Sequence, residues 1–408
     1  LDMASLPSIR NLAELINPAL NGSKLDSFEL KPLTKPGDNY GSILLSIEAQ
    51  LRQPDGKLVK QRFVGKVPPT DPQHWQFVQP ERTQLTENEF YKMLVPAVQR
   101  LQDEAGIAKE QQFDGFARYY GARQALSRDS NVVDHDAILV LEDLRDSNYV
   151  PGQRLKPFDL AHTELALKYM AQYHALPIAL KLKKSEVFEA HMLPHYTKFD
   201  WHGDAEESNA SMTAETLKDI RAATNNDEKL VARVTKILAE LFEFLKASPV
   251  ENNIFNSIVH MDYWIMNLMF KYGKDAAGQP TRLKILDFQL AQFDSIIHDI
   301  IPFLFTSIST QLLEQHYEQL LQLYYDTLIS CLAQLGANTA DYSYAAFRAE
   351  LKRVAYLQVA HAIFMTRFIL ADEVSADLSQ VLHNSGSKRI QKKLAEILRL
   401  AQKFDILY

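Results

Sequence analysis

From Asp159 onward the apolar residues recur at i, i+3, i+4 and i+7, the period of helices that bury one face. One stretch refuses that period. SIVHMDYWIMNLMFKYGKDAAGQPTRLKILDFQLAQFD (Ser257 to Asp294) reads as short strands joined by a Gly-containing turn. A polar loop and hairpin set among helices needs a reason, and segments held by a rigid scaffold are where chemistry is placed. The first 145 residues carry the other strand signals. SILLSIEAQL (Ser42 to Leu51) and KLVKQRFVGKV (Lys57 to Val67) flank QPDG, whose Asp55-Gly56 pair predicts a hairpin. A helix pattern, ENEFYKMLVPAVQRLQDEAG, follows and is closed by Gly106; FARYYGA and AILVLEDL supply two further strands. The expectation is an α+β chain with two lobes, a small strand-rich one over 1–144 and a large mainly helical one over 145–408.

Composition narrows the function classes. With 46% hydrophobic residues in 408, the chain has ample material for a core and is not of the disordered class. A net charge of −7 without a basic block argues against a nucleic-acid partner. The single cysteine, Cys331, excludes an internal disulfide and lies in a helical apolar pattern as a core residue. The start, LDMASLPSIRNLAELI, has no basic segment ahead of an apolar one, so no signal peptide is expected. The densest apolar run, Ile300 to Phe305, is far short of the ~20 residues of a membrane span. The expectation is a soluble, cytoplasmic monomer with no membrane partner.

Within the island, His260, Asp262 and Asn267 follow H-x-D-x-x-x-x-N, and Asp287 stands 25 residues after Asp262 at the end of the apolar strand LKILDF. Phosphoryl transfer to an alcohol needs these residue types. One carboxylate orients the acceptor hydroxyl and takes its proton; a second carboxylate and an amide oxygen hold Mg²⁺ on the phosphates. Lys66, ending the strand QRFVGKV, fits the cation that neutralises phosphate charge, and Glu87 or Glu89 on the next helix fits the acid that holds it. The order strand-Lys, helix-Glu, loop-Asp/Asn, strand-Asp is the protein-kinase layout. His202, Asp204 and Asn209 repeat the loop spacing, but in a polar stretch with no DF strand about 25 residues on, which marks a solvated loop. His191, His195 and His202 near Asp200 and Asp204 mimic a metal site, yet Pro194 breaks any helical register between them.

IVHMDYWIMNLMFKY followed by LKILDFQLAQFDSIIHDIIPFLFTS resembles the ecdysteroid-kinase-like (choline/ethanolamine-kinase-like, CHK) family of insects. PLTKPGDNYGSILLSIEA resembles that family's nucleotide loop, FVGKVPP its lysine strand, TENEFYKMLVP its glutamate helix, LVLEDL its hinge and MAQYHAL its first large-lobe helix. The resemblance implies a protein-kinase-like two-lobed fold, related to aminoglycoside and choline kinases, that uses ATP and Mg²⁺ to phosphorylate a small-molecule alcohol. By the same resemblance Asp262 is the catalytic base, Asn267 and Asp287 are the catalytic magnesium ligands, and Lys66 paired with Glu87 meets the α/β-phosphates. The loop containing Asn39, Tyr40 and Gly41 covers the phosphates, and the backbone of Glu142, Asp143 and Leu144 receives adenine. Asp299 matches a family aspartate that ties the loop from below; His260 anchors the loop, and Trp264 packs beneath it or lines the acceptor pocket.

Two departures stand out: Met261 replaces the family's glycine, and Met266 its first asparagine. They motivate a competing class, a pseudokinase that binds nucleotide or an apolar ligand without turnover. A choline- or ethanolamine-type kinase is the other alternative. The expected acceptor is a lipophilic alcohol such as an ecdysteroid-like steroid or a xenobiotic.

Overall fold

The computed structural model describes residues 6–34, 41–127, 132–199, 205–247, 253–273, 278–370 and 386–407. Five antiparallel strands, β1 (Lys24–Pro32), β2 (Ile43–Arg52), β3 (Leu58–Val67), β4 (Tyr119–Arg123) and β5 (Ile138–Glu142), form one sheet in the order β1-β2-β3-β5-β4. The predicted hairpin is β2–β3, closed by bonds between Gln53 and Lys57 and by the Asp55 carboxylate accepting from the Lys57 N–H. β1 is absent from the sequence reading. It is an edge strand with no buried residue, and a bulge between Leu25 and Ser27 breaks its alternation. One face of the sheet, through Leu45, Ile47, Phe63 and Val140, packs on a short helix, α1 (Leu12–Ile16).

The helix expected near residue 87 begins earlier. After α2 (Pro72–Val78), α3 (Pro80–Glu89) runs through a π turn (Phe90–Leu94) into α4 (Val95–Glu104). Pro96 has no N–H to give, and the Val95 N–H reaches back five residues to the Phe90 carbonyl instead. The widened turn sets Phe90 and Tyr91, both buried, toward the large lobe.

The remainder is helical: α5 (Leu160–Lys183), a one-turn α6 (Ser185–Val187), α7 (Ala205–Ala223), α8 (Glu228–Lys246), α9 (Ile297–Thr306), α10 (Thr310–Gln334), α11 (Tyr344–Leu370) and α12 (Lys388–Lys403). Asp159 caps α5 through the His162 N–H, and Asp227 caps α8 through two N–H groups. The island contains the short strands read from the sequence, and residues 274–277 of the turn between them lie outside the described residues. β6 (Val150–Pro151), β8 (Leu268–Tyr272) and β9 (Pro280–Ile285) make one small sheet, and β7 (Asn256–Val259) pairs with β10 (Gln292–Ser295). One apolar core joins the π turn, α4 and β5 of the small lobe to α5, α9, α10 and α11 of the large one. The α+β, two-lobed architecture expected from the sequence, a strand-rich lobe followed by a mainly helical one, is the one observed. Among the described residues no helix is long and apolar enough to cross a membrane.

Candidate active site

Lys66 lies near the end of β3, in register with Leu44 on β2 and Leu139 on β5. Its ammonium sits 2.6 Å from Glu87 Oε2 and 2.5 Å from Asp287 Oδ1, buried between the lobes. Burial disfavours the ammonium charge, but Asp287 and Glu87 together more than offset that and raise its pKa. Glu87 also accepts from the Phe288 N–H at 3.1 Å, which ties α3 to the segment carrying Asp287. Glu89 faces elsewhere and pairs with Lys92 at 3.3 Å. Phe288 stacks on Phe90 at 3.7 Å and lies 4.9 Å from the His260 ring. An aromatic stack therefore runs from the π turn through Phe288 to the loop bearing Asp262.

That loop is held by its backbone. The buried Asp299 carboxylate accepts from the N–H groups of His260 and Met261, each at 2.7 Å, and from His174 Nε2 at 2.9 Å. Tyr324 bonds the other His174 nitrogen at 2.6 Å. His260 Nδ1 accepts from the Asp262 N–H at 3.2 Å, so its Nε2 carries the proton donated to the Leu286 carbonyl at 2.8 Å. Burial holds the His260 pKa below the ordinary histidine value, in keeping with that neutral form.

Met261 has φ 67, in the left-handed region that glycine enters at least cost. The backbone itself thus explains why a glycine suits this position. Met261→Gly should leave stability within about 1 kcal/mol, since relief of strain and the entropy of an unfolded glycine nearly cancel. Met261→Ile, β-branched at the same φ, should lose roughly 1–2 kcal/mol. Thermal unfolding of the two variants tests this, and equal melting temperatures would refute it.

Asn267 donates from its amide to both the backbone carbonyl (2.8 Å) and the carboxylate (2.9 Å) of Asp262. The Trp264 side chain bonds the same carboxylate. Even so, the Asp262 pKa is pushed up to about 8, by burial first and by the charge of Asp287 second. A carboxylate so placed is poised to take a proton near neutrality. With both amide hydrogens of Asn267 directed at Asp262, its carbonyl oxygen remains for a hard cation, and Asp287 brings a carboxylate beside it. One amide oxygen and one carboxylate fit Mg²⁺, which usually completes its shell with water and phosphate oxygens. Among the described residues no three His, Cys, Asp or Glu groups gather into an all-protein metal cage.

A model of the ecdysteroid kinase-like family matches residues 36–337. The chain belongs to the ecdysteroid kinase-like family. No curated protein matches it. Two solved structures are distantly similar. Ethanolamine kinase from Plasmodium vivax shares 11% identity over 97% of this chain and 86% of that one, with a TM-score of 0.39. APH(2")-IIia, solved with GDP and kanamycin, shares 13% over 97% of this chain and 98% of that one, with a TM-score of 0.39.

For this family member, the structure brings Lys66, Glu87, Asp262, Asn267 and Asp287 around one cleft. Asn39 and Tyr40 lie outside the described residues, as do Asp200, His202 and Asp204. Gly41 is described, and a Cβ there would fall 2.2 Å from Gln289 Nε2, so glycine permits the close approach of position 41 to the residue after Phe288. Glu142 ends β5 and exchanges bonds with Arg118, while Leu144 is buried. The buried Asp143 carboxylate binds the Arg145 backbone N–H at 3.1 Å and Nε at 2.8 Å. Sequence reasoning overlooked three residues here. Arg82 on α3 clamps the carbonyls of Gln289 (2.6 Å), Thr197 (2.6 Å) and Ala291 (2.8 Å). His174 supports Asp299, and Gln289 packs on Gly41. His174 and Gln289 stood inside recognised segments, MAQYHAL and DFQ, which was a usable signal; Arg82 gave none. Gly152 is a further close approach, because a Cβ there would meet the Ile265 carbonyl at 2.2 Å.

Proposed function

We propose that this protein is an ATP- and Mg²⁺-dependent kinase that transfers the γ-phosphoryl group to a hydroxyl of a small lipophilic molecule, a steroid or xenobiotic alcohol. It would act as a cytoplasmic monomer. The observation that carries the reading is the joint placement of two groups: Lys66 held between Glu87 and Asp287, and Asp262 held by Asn267 beside them. Family membership supports a small-molecule kinase of this kind. Lys66 would neutralise the α/β-phosphates, and the Glu142–Leu144 backbone would receive adenine. Asn267 and Asp287 would hold Mg²⁺, which supplies positive charge to the transferring phosphoryl group. Asp262 would orient the acceptor hydroxyl and take its proton. Met261 and Met266 remove none of these polar groups, which favours catalysis over a pseudokinase.

Calorimetry of ATP binding with and without Mg²⁺, on wild type and Asp287→Asn, is the test. Wild type should bind in a magnesium-dependent manner, and Asp287→Asn should weaken that binding by about tenfold or more. Absence of ATP binding in every condition would remove the kinase reading. Equal losses with and without magnesium would remove the metal role of Asp287.

A further inference from the structure

Apart from the nucleotide cleft, the large lobe contains a cavity of about 310 Å³ between the start of α10, the end of α11 and α12. Ile265, three residues after Asp262, forms part of its wall, and Ile308, Ile369 and Leu370 extend that apolar surface. Its polar side is strongly cationic. Arg154, Arg389 and Lys393 face it against one carboxylate, Glu396, in a protein whose net charge is −7. Glu396 is already engaged, accepting from the Thr310 hydroxyl at 2.5 Å. Arg154 is engaged too, donating to the carbonyls of Ile369 (3.0 Å) and Phe368 (3.2 Å). The Lys393 ammonium and the Arg389 guanidinium have no ion-pair or hydrogen-bond partner among the described residues. Burial holds the Lys393 pKa below its ordinary value, which Glu396 only partly offsets. Ser309 accepts from the Leu312 N–H and so keeps its own hydroxyl proton to donate, at the N-terminus of α10, which opens on the same space.

A half-buried lysine with no hydrogen-bonded counter-ion is costly unless an anion joins it, and the exposed Arg389 adds a second positive charge at the rim of the same space. The apolar wall asks for something more than a bare ion, and the volume lies at the small end of organic-ligand pockets. We propose that this cavity binds a small organic oxyanion, a phosphate or sulfate ester. Its charged head would lie against Lys393, Arg389 and Ser309, and its apolar body on Ile265, Ile308, Ile369 and Leu370. The site is separate from the nucleotide cleft and stands whether or not the protein is a kinase.

The test uses the full chain with phenyl phosphate and phenyl sulfate as probes, phenol as the neutral control, and calorimetry as the readout. At least one ester should bind, and the tighter of the two identifies the head group. Phenol should bind at least about tenfold more weakly, as should the preferred ester to Lys393→Met, because one charge-assisted contact is lost. Arg389→Ala, on an exposed side chain that does not threaten the fold, should weaken the ester in the same direction. Lys392→Met on the same helix, and Lys66→Met in the nucleotide cleft, should retain binding. Several results would overturn the proposal: no ester binding at millimolar concentration, phenol binding equally well, or full affinity in both Lys393→Met and Arg389→Ala. So would binding lost in Lys66→Met alone, which would place the ester in the nucleotide cleft.

Discussion

Asp262→Asn is expected to lower phosphoryl transfer by about 10²–10⁴-fold while leaving nucleotide affinity little changed. The substitution preserves shape and an acceptor oxygen, but an amide cannot take a proton from an alcohol. Lys66 and Asp287, the groups assigned to the phosphates and the metal, do not depend on it. The same variant should be more stable than wild type in alkaline solution, and the sign follows from the titration. The Asp262 pKa is about 8 in the folded chain against an ordinary 3.8, so the folded state retains a proton that the unfolded state releases. Stability from this group is therefore fully present below about pH 4 and is lost as the pH rises through about 8. Asparagine has no such proton to lose. Unfolding of ligand-free wild type and Asp262→Asn between pH 5 and 9 should show curves that diverge upward in pH, with the variant higher. Unchanged turnover would remove Asp262 as the base. Parallel stability curves would show that its carboxyl titrates at an ordinary value.

How far the sequence reached depends on what each feature rests on. Asp262 and Asn267 share one short loop, so their spacing alone brings them together, and the apolar strand before Asp287 places it at the end of β9. Lys66 was legible because strand alternation fixes the face on which it emerges. The choice between Glu87 and Glu89 was not settled by the pattern. It depends on the rotation of α3, and the register of the whole helix is reset by the π turn that Pro96 imposes after it. β1 escaped notice because it buries almost nothing, and periodicity reports burial. Arg82 was hidden for a different reason. Its partners are three carbonyl oxygens 115 to 209 residues away in sequence, and backbone oxygens leave no trace in residue types.

Asp299→Ala should destabilise the fold by about 3–5 kcal/mol, the cost of removing one member of a buried charged network. Two backbone N–H groups, those of His260 and Met261, lose their acceptor, and His174 loses its own. Among the described residues nothing else is placed to replace that carboxylate. In the folded protein Asp299 is held below the ordinary carboxylate pKa. Burial works against this, but the His174 hydrogen bond and the surrounding contacts outweigh it. Its stabilisation is thus present above the unfolded carboxylate pKa and is lost as the pH falls through the folded value, so wild type should lose an increment in acid that the variant does not. Asp299→Asn is the milder companion. It keeps one acceptor oxygen but turns an NH₂ toward a donor, at a cost of about 1–3 kcal/mol. Because Met261 and Asp262 are adjacent, loosening this anchor moves Asp262, the proposed base, and a displacement of about 1 Å can lower turnover roughly 10²-fold. Lys66, Glu87 and Asp287 keep their mutual contacts, so nucleotide affinity should hold in Asp299→Asn. A folded Asp299→Asn that loses nucleotide binding along with turnover would show that Asp299 supports the whole cleft; full turnover would show that the backbone holds the loop without it.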